Sequence, residues 1–245
     1  MKELLAAFLH CVFPSPCRVC HRPLDAARRS LICGPCWRLV RPVPQPFCPR
    51  CGKPFISPRV LEESPGHLCG LCRVQPPPFA VARAVTLYEA EGTIRQAILL
   101  FKYGGRLSLG RQLGRLMAEA ADRLLDLREF DLLVPVPLHP KREQERGLNQ
   151  ATLLAKEVGR GCGLPVGRRL LRRVLATDTQ RGARKEREAN VKGAFRVARP
   201  EEVEDRRLLL IDDVFTTGAT VSECAKALRA AGAAEVAVYT LARVE

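Results

Sequence analysis

The run Leu208–Thr220, LLLIDDVFTTGAT, constrains the fold of this 245-residue chain more than any other feature. Four apolar residues in succession read as a strand buried on both faces, as in a parallel sheet. The acid pair Asp212-Asp213 stands at the C-terminal end of that strand, the edge where open α/β sheets bind ligands. Thr216, Thr217, Gly218, Ala219 and Thr220 follow and lead into a helix expected from Val221. Hydroxyls, a glycine that admits close backbone approach and the free N–H groups of a helix N-terminus make a phosphate cradle. The carboxylates themselves repel a phosphate and suit sugar hydroxyls or a metal ion, so the implied ligand carries both a phosphate and a diol.

Residues 79–245 extend this pattern. Ala80–Tyr88, Asp131–Pro135, Leu170–Val174, Phe195–Val197 and Glu235–Leu241 read as strands. Thr93–Phe101, Leu107–Leu127, Leu148–Val158 and Val221–Ala231 read as helices, the second with Leu109, Leu113, Leu116 and Ala120 on one face. Gly232 would end the last helix. Such alternation predicts an α/β domain with a mostly parallel, Rossmann-like sheet.

Residues 1–78 differ, being rich in Pro, Gly and Cys, and the stiff Pro76–Pro78 stretch is expected to mark the domain boundary. Nine of the eleven cysteines fall in the first 72 residues, and eight form four CxxC pairs: Cys17/Cys20, Cys33/Cys36, Cys48/Cys51 and Cys69/Cys72. Two CxxC turns complete a closed tetrahedral thiolate site, which suits structural zinc, and two such sites are expected. Iron–sulfur binding is the rival use of four thiolates. The pairs could associate first with second and third with fourth, or interleaved; the spacing leaves both open. His21 and His67 adjoin the ligands as spare surface residues, while Cys11, Cys162 and Cys224 are expected to pack as small apolar side chains.

With 47% hydrophobic and 27% charged residues, the composition describes a globular rather than a disordered chain. The apolar stretch Leu4–Val12 is too short to span a bilayer and reads as a short amphipathic helix, so the expected location is cytoplasmic, without a membrane span. The net charge of +14 is uneven: residues 131–200 hold 16 Lys and Arg against 7 Asp and Glu, whereas residues 201–245 are acidic. A basic surface attracts nucleic acid or a pyrophosphorylated substrate. An aromatic share of 5% disfavours recognition by base stacking.

Two basic segments belong with the phosphate cradle. Val134-Pro-Val-Pro-Leu-His-Pro-Lys141-Arg142, followed by Arg146-Gly147-x-Asn149-Gln150, reads as a Pro-stiffened turn whose cations suit a pyrophosphate. The polar run from Gln180 through Arg184, Lys185 and Arg187 to Asn190 reads as a mobile lid over an anionic ligand, or as a solvated basic helix.

These motifs, in this order behind a double CxxC module and with Phe101-Lys102-Tyr103 ahead of them, resemble the ComF family from Cys17 to the final strand. The acid pair and its loop are similar to the signature of type I phosphoribosyltransferases. The resemblance implies that Asp212 and Asp213 bind the ribose 2- and 3-hydroxyls of phosphoribosyl pyrophosphate (PRPP) and that Thr216–Thr220 hold its 5-phosphate. Lys141 and Arg142, with Arg146 and the lid residues Gln180, Arg184, Arg187 and Asn190, would face the Mg2+-bound pyrophosphate. It further implies a role in competence and single-stranded DNA handling, with a competence helicase as a partner. Two activities fit: phosphoribosyl transfer, or a non-catalytic adaptor or regulator that binds PRPP or nucleic acid on the same fold.

Overall fold

The structure is a computed structural model and describes residues 16–24, 31–104, 106–175 and 191–244. The short amphipathic helix expected at Leu4–Val12, Cys11 and the lid residues Gln180, Arg184, Lys185, Arg187 and Asn190 lie outside them.

Strands β1 (Ala82–Leu87), β2 (Leu132–Pro135), β5 (Arg207–Phe215) and β6 (Glu235–Arg243) form a parallel sheet in the order β1-β6-β5-β2. β3 (Leu171–Arg173) and β4 (Phe195–Val197) form a separate antiparallel pair. The expected α/β architecture with a mostly parallel sheet is therefore what the chain adopts. The sequence pattern predicts this central strand over Arg207–Asp212; β5 runs three residues further, because Val214 and Phe215 continue the pairing with β6.

Side chains alternate across a strand, so β5 addresses two layers at once. Leu209 and Ile211 meet one layer, built from helices α4 (Thr93–Tyr103), α5 (Leu107–Leu124) and α7 (Gln150–Cys162). Leu208 and Leu210 meet the other, where α8 (Ala219–Ala230) packs with Phe79, Leu170 and Phe195. Leu109, Leu113 and Ala120 are buried on α5 as the periodicity predicts. Tyr239 of β6 is fully buried, and its hydroxyl donates to the Met117 carbonyl at 2.6 Å, which satisfies the one polar atom it brings into the core.

The segment expected to be a basic turn is instead a short helix, α6 (Pro140–Arg146). Pro140 occupies its first turn, where a missing N–H is harmless, His139 Nδ1 accepts from Lys141 N, and Gly147 closes it at φ 71°.

Among the described residues, the cysteine-rich part carries three one-turn helices, α1 (Gly34–Trp37), α2 (Val60–Glu63) and α3 (Gly70–Val74). Its described residues form no core apart from that of the sheet. Cys17, Ile32 and Cys36 belong to the cluster around α4 and α5, and Cys48, Cys51, Cys69 and Cys72 to the cluster around α8. The two cysteine groups thus contact opposite faces of one sheet. Among the described residues, no helix is long and apolar enough to cross a membrane.

Candidate functional site

The acid pair stands at the carboxyl end of β5, and its two members look in opposite directions. Asp213 enters the α4 layer, where Lys102 Nζ lies 2.8 Å from its Oδ2 and both side chains are largely buried, at 21% and 11% exposure. Burial works against the Lys102 ammonium, but the Asp213 carboxylate outweighs it and holds the lysine pKa above its ordinary value. Asp212 enters the α8 layer, toward Arg173 and Cys224. Burial and the neighbouring Asp213 charge push its pKa up to about 7, although Asp213 N donates to Asp212 Oδ1 at 2.8 Å and opposes the rise. Two acids adjacent in sequence therefore differ in surroundings, Asp213 in direct contact with a lysine and Asp212 with its pKa raised by burial and the neighbouring carboxylate.

The expected phosphate cradle follows directly. Gly218 sits at φ 81°, and a Cβ there would lie 2.8 Å from Phe215 Cζ, so this turn requires glycine on both counts. Thr217 Oγ1 accepts from Ala219 N at 3.3 Å, and α8 starts here, two residues earlier than the apolar pattern implied. The first turn of a helix leaves N–H groups without intrahelical partners, the arrangement that binds anions.

The basic segment meets the same edge from β2. Asn149 caps α7 through Thr152 N and donates its side-chain amide to the Val136 carbonyl at 3.0 Å, tying the helix to the strand end. Arg146 reaches Gln150 Oε1 at 3.2 Å and lies 5.4 Å from the Tyr103 ring centroid. Lys141 is exposed on the first turn of α6 and Arg142 half-buried beside it. Burial, and then the Arg142 charge, lower the pKa of Arg173, which places these two cations within electrostatic reach on the Asp212 side. Positive charge accordingly brackets the acid pair, with Lys102 and Arg146 on one side and Arg173 and Arg142 on the other.

The cysteines associate first pair with second and third with fourth; the interleaved arrangement is not the one formed. Within each tetrad, the four Sγ atoms lie within 4.8 Å of one another. Tetrahedral zinc with Zn–S bonds of about 2.3 Å requires sulfurs about 3.8 Å apart. The observed separations of 3.9 Å (Cys17–Cys36), 3.6 Å (Cys20–Cys33) and 3.7 Å (Cys51–Cys69) fit that ion. Burial raises the thiols of Cys36 and Cys72 and takes Cys51 up to about 11. Against the same burial, the N–H groups of Cys20, Cys33 and Val19 bring Cys17 down to about 6, and those of Cys51, Cys69 and Arg50 bring Cys48 to about 7. Each tetrad is thus a backbone cradle for thiolates that a divalent cation completes. Neither His21 nor His67 belongs to a tetrad; His67 packs edge-on against Phe55. Cys224 is buried, as expected for an apolar role, and Cys162 is half-buried.

Family profiles match both parts of the chain: a double zinc ribbon domain over residues 8–76 and a phosphoribosyl transferase domain over residues 145–245. Competence protein F of Haemophilus influenzae is 34% identical over 232 residues, covering 93% of this chain and 96% of that protein. The chain belongs to the ComF family. Two further relatives of this ComF protein are the DNA utilization protein YhgH of Escherichia coli K12, 34% identical over 94% of the chain and 97% of the relative, and competence protein ComFC of Bacillus subtilis, 26% identical over 86% and 84%. A solved glutamine PRPP amidotransferase from B. subtilis matches 55% of the ComF chain and 26% of its own, with 20% identity and a TM-score of 0.38, too low to carry an argument.

Sequence reasoning on the ComF chain missed Lys102 and Arg173 as neighbours of the acid pair. Lys102 lies over a hundred positions before Asp213, and only topology brings them together. The available signal was a lone lysine at the end of an otherwise apolar helical face, next to buried Phe101.

Proposed function

We propose that this protein binds Mg2+-complexed PRPP at the carboxyl end of β5 and transfers its phosphoribosyl group. Residues 1–78 would serve as a double zinc-ribbon module and residues 79–245 as the phosphoribosyltransferase domain. The observation that carries this reading is the juxtaposition of the Asp212–Asp213 pair with the Gly218 turn and the free N–H groups of α8. A single ligand that presents a ribose diol and a 5-phosphate satisfies both.

In this reading Asp212 and Asp213 accept hydrogen bonds from the ribose hydroxyls, and Thr216–Thr220 hold the 5-phosphate. Lys141, Arg142 and Arg146, with the lid cations, face the pyrophosphate. The bond from C1 to the pyrophosphate oxygen breaks with its electron pair leaving on pyrophosphate. An acceptor lone pair forms the new bond to C1, and the acceptor gives up a proton. No protein nucleophile is needed; the chain supplies position and charge at an oxocarbenium-like transition state.

The names of the relatives, competence and DNA utilization proteins, support a role connected with DNA, which this reading takes to be the handling of single strands in the cytoplasm. One surface favours that part of the reading. Arg168, Arg169 and Arg172 line a trough of about 1370 Å³ beside β2 together with Arg173 and Arg199. Among the described residues, no ion pair involves the first three. Guanidinium groups suit phosphodiesters.

Calorimetric titration of the full chain with Mg2+ and PRPP tests the site. Binding by the native protein and its loss in Asp212→Ala/Asp213→Ala are expected; equal binding by both would sink the assignment. Charge reversal at Arg168, Arg169 and Arg172 is expected to weaken single-stranded oligonucleotide binding and to flatten its salt dependence, with PRPP binding retained.

A further inference from the structure

The second cysteine tetrad and the phosphate loop share one cleft of about 790 Å³, walled by Cys69–Cys72 and Pro76–Pro78 on one side and by Phe215–Ala219 on the other. Backbone and side chains join the two walls. Arg243, at the end of β6 and 5% exposed, donates from Nη1 to the Cys51 carbonyl at 2.7 Å. Its guanidinium lies 5.3 Å from the Phe215 ring centroid, and that ring fills the space against which Gly218 turns. Phe79 meets Phe215 edge-on at 6.2 Å, and Val244 N donates to the Phe215 carbonyl at 2.9 Å.

The Cys48–Cys51 turn of this tetrad is itself pinned to the sheet. Gly52 at φ 70° would place a Cβ 2.7 Å from the Ala82 carbonyl oxygen, Ala82 N donates to Arg50 O at 2.7 Å, and Arg83 Nη1 to Pro49 O at 2.9 Å. Among the described residues, the first tetrad has no such link to the loop. Among those residues it is tied to the α/β domain by the Thr93 hydroxyl, which donates to the Cys36 carbonyl at 3.1 Å on the opposite face of the sheet.

We infer that Arg243 is a positioning residue that couples the second metal site to the phosphate loop, so that the metal and the phosphorylated ligand stabilise one another. A metal that gathers Cys48 and Cys51 tightens the turn that carries the Cys51 carbonyl, beyond what its contacts with the sheet supply. That carbonyl orients Arg243, Arg243 covers Phe215, and Phe215 holds the Gly218 turn in its ligand-binding shape. Coupling of this kind is reciprocal, so a ligand on the loop must retain the metal as strongly as the metal favours the ligand. Loss of the second metal then switches the ligand site off, whereas loss of the first alone leaves it intact. The inference rests on the proposed PRPP site.

The test uses the zinc-loaded full chain, an organomercurial to displace thiolates and a chelating dye to count released zinc. Two phases of one zinc each are expected, the fast one from the first tetrad, whose Cys20 is exposed, and the slow one from the second, whose four cysteines are buried. Saturating Mg2+-PRPP should slow the slow phase about fivefold or more and leave the fast phase unchanged. Ribose 5-phosphate, which lacks the chelating pyrophosphate, should act in the same direction. Arg243→Met should still carry two zinc ions but lose the ligand's effect on the slow phase. If the native protein binds PRPP by calorimetry and the slow phase does not respond, or both phases slow equally, the coupling is overturned and the site assignment stands. Absence of PRPP binding overturns both.

Discussion

The two faces of the central sheet carry the same inventory and use it differently. Each has one cysteine tetrad and one member of the acid pair. On the α4 face the tetrad is partly exposed, at Cys20 and Cys33, and Asp213 is neutralised by Lys102. On the α8 face all four cysteines are buried against the sheet, and Asp212 is held near its titration point. Asp213 would meet a ligand already paired with a lysine, whereas Asp212 would meet it with its charge less fully compensated. An acidic group left poorly compensated beside an anion cradle costs stability that a bound diol and cation recover.

The largest effect should come from the metal sites. Replacing Cys48 and Cys51 by Ser should unfold the cysteine-rich part and open the α8 face of the core, because zinc supplies much of the folding energy of such modules. Soluble yield and thermal midpoint should fall well below those of Cys17→Ser/Cys20→Ser. Equal losses would erase the distinction between the faces.

A smaller effect is expected at the ion pair. Lys102→Met leaves Asp213 charged and nearly buried, and should cost about 3 kcal/mol in denaturant unfolding, the low end for a broken buried pair. Lys102→Met combined with Asp213→Asn should regain much of that loss. No recovery would show that Lys102 acts through packing alone.

The smallest effect concerns Asp212. Its pKa in the folded chain lies above the ordinary carboxylate value, so between the two values the folded state holds the extra proton and stability falls as pH rises to about 7. Asp212→Asn removes that penalty. It should raise the thermal midpoint by about 2–4 °C at pH 8, with the gain shrinking toward pH 4. The same variant should also lose the part of PRPP affinity that grows in the native protein as pH rises through 7. A gain in midpoint independent of pH would assign the effect to packing.

Much of this arrangement was legible in the order of residues. The apolar run before Asp212-Asp213 identified the central strand, because only a strand covered on both faces tolerates four apolar residues in succession there. The CxxC spacing identified two thiolate sites. What was hidden depends on three-dimensional closure. Alternation along β5 sends the paired acids to opposite layers, a consequence that their adjacency disguised. The association of cysteine pairs, the contact of Lys102 with Asp213 and the approach of Arg243 to Cys51 join residues far apart in sequence. Pro140 and its basic neighbours looked like a turn because a proline that would break a helix interior also begins one well.

Hydrogen–deuterium exchange of the zinc-loaded chain with and without Mg2+-PRPP tests the division of labour between the faces most directly. The account predicts slowed exchange at Thr216–Ser222 and in the wall formed by Cys69–Phe79, with the Cys17–Cys36 region unchanged. Slowing at Cys17–Cys36 equal to that at Cys69–Phe79, or none at Thr216–Ser222, would contradict it.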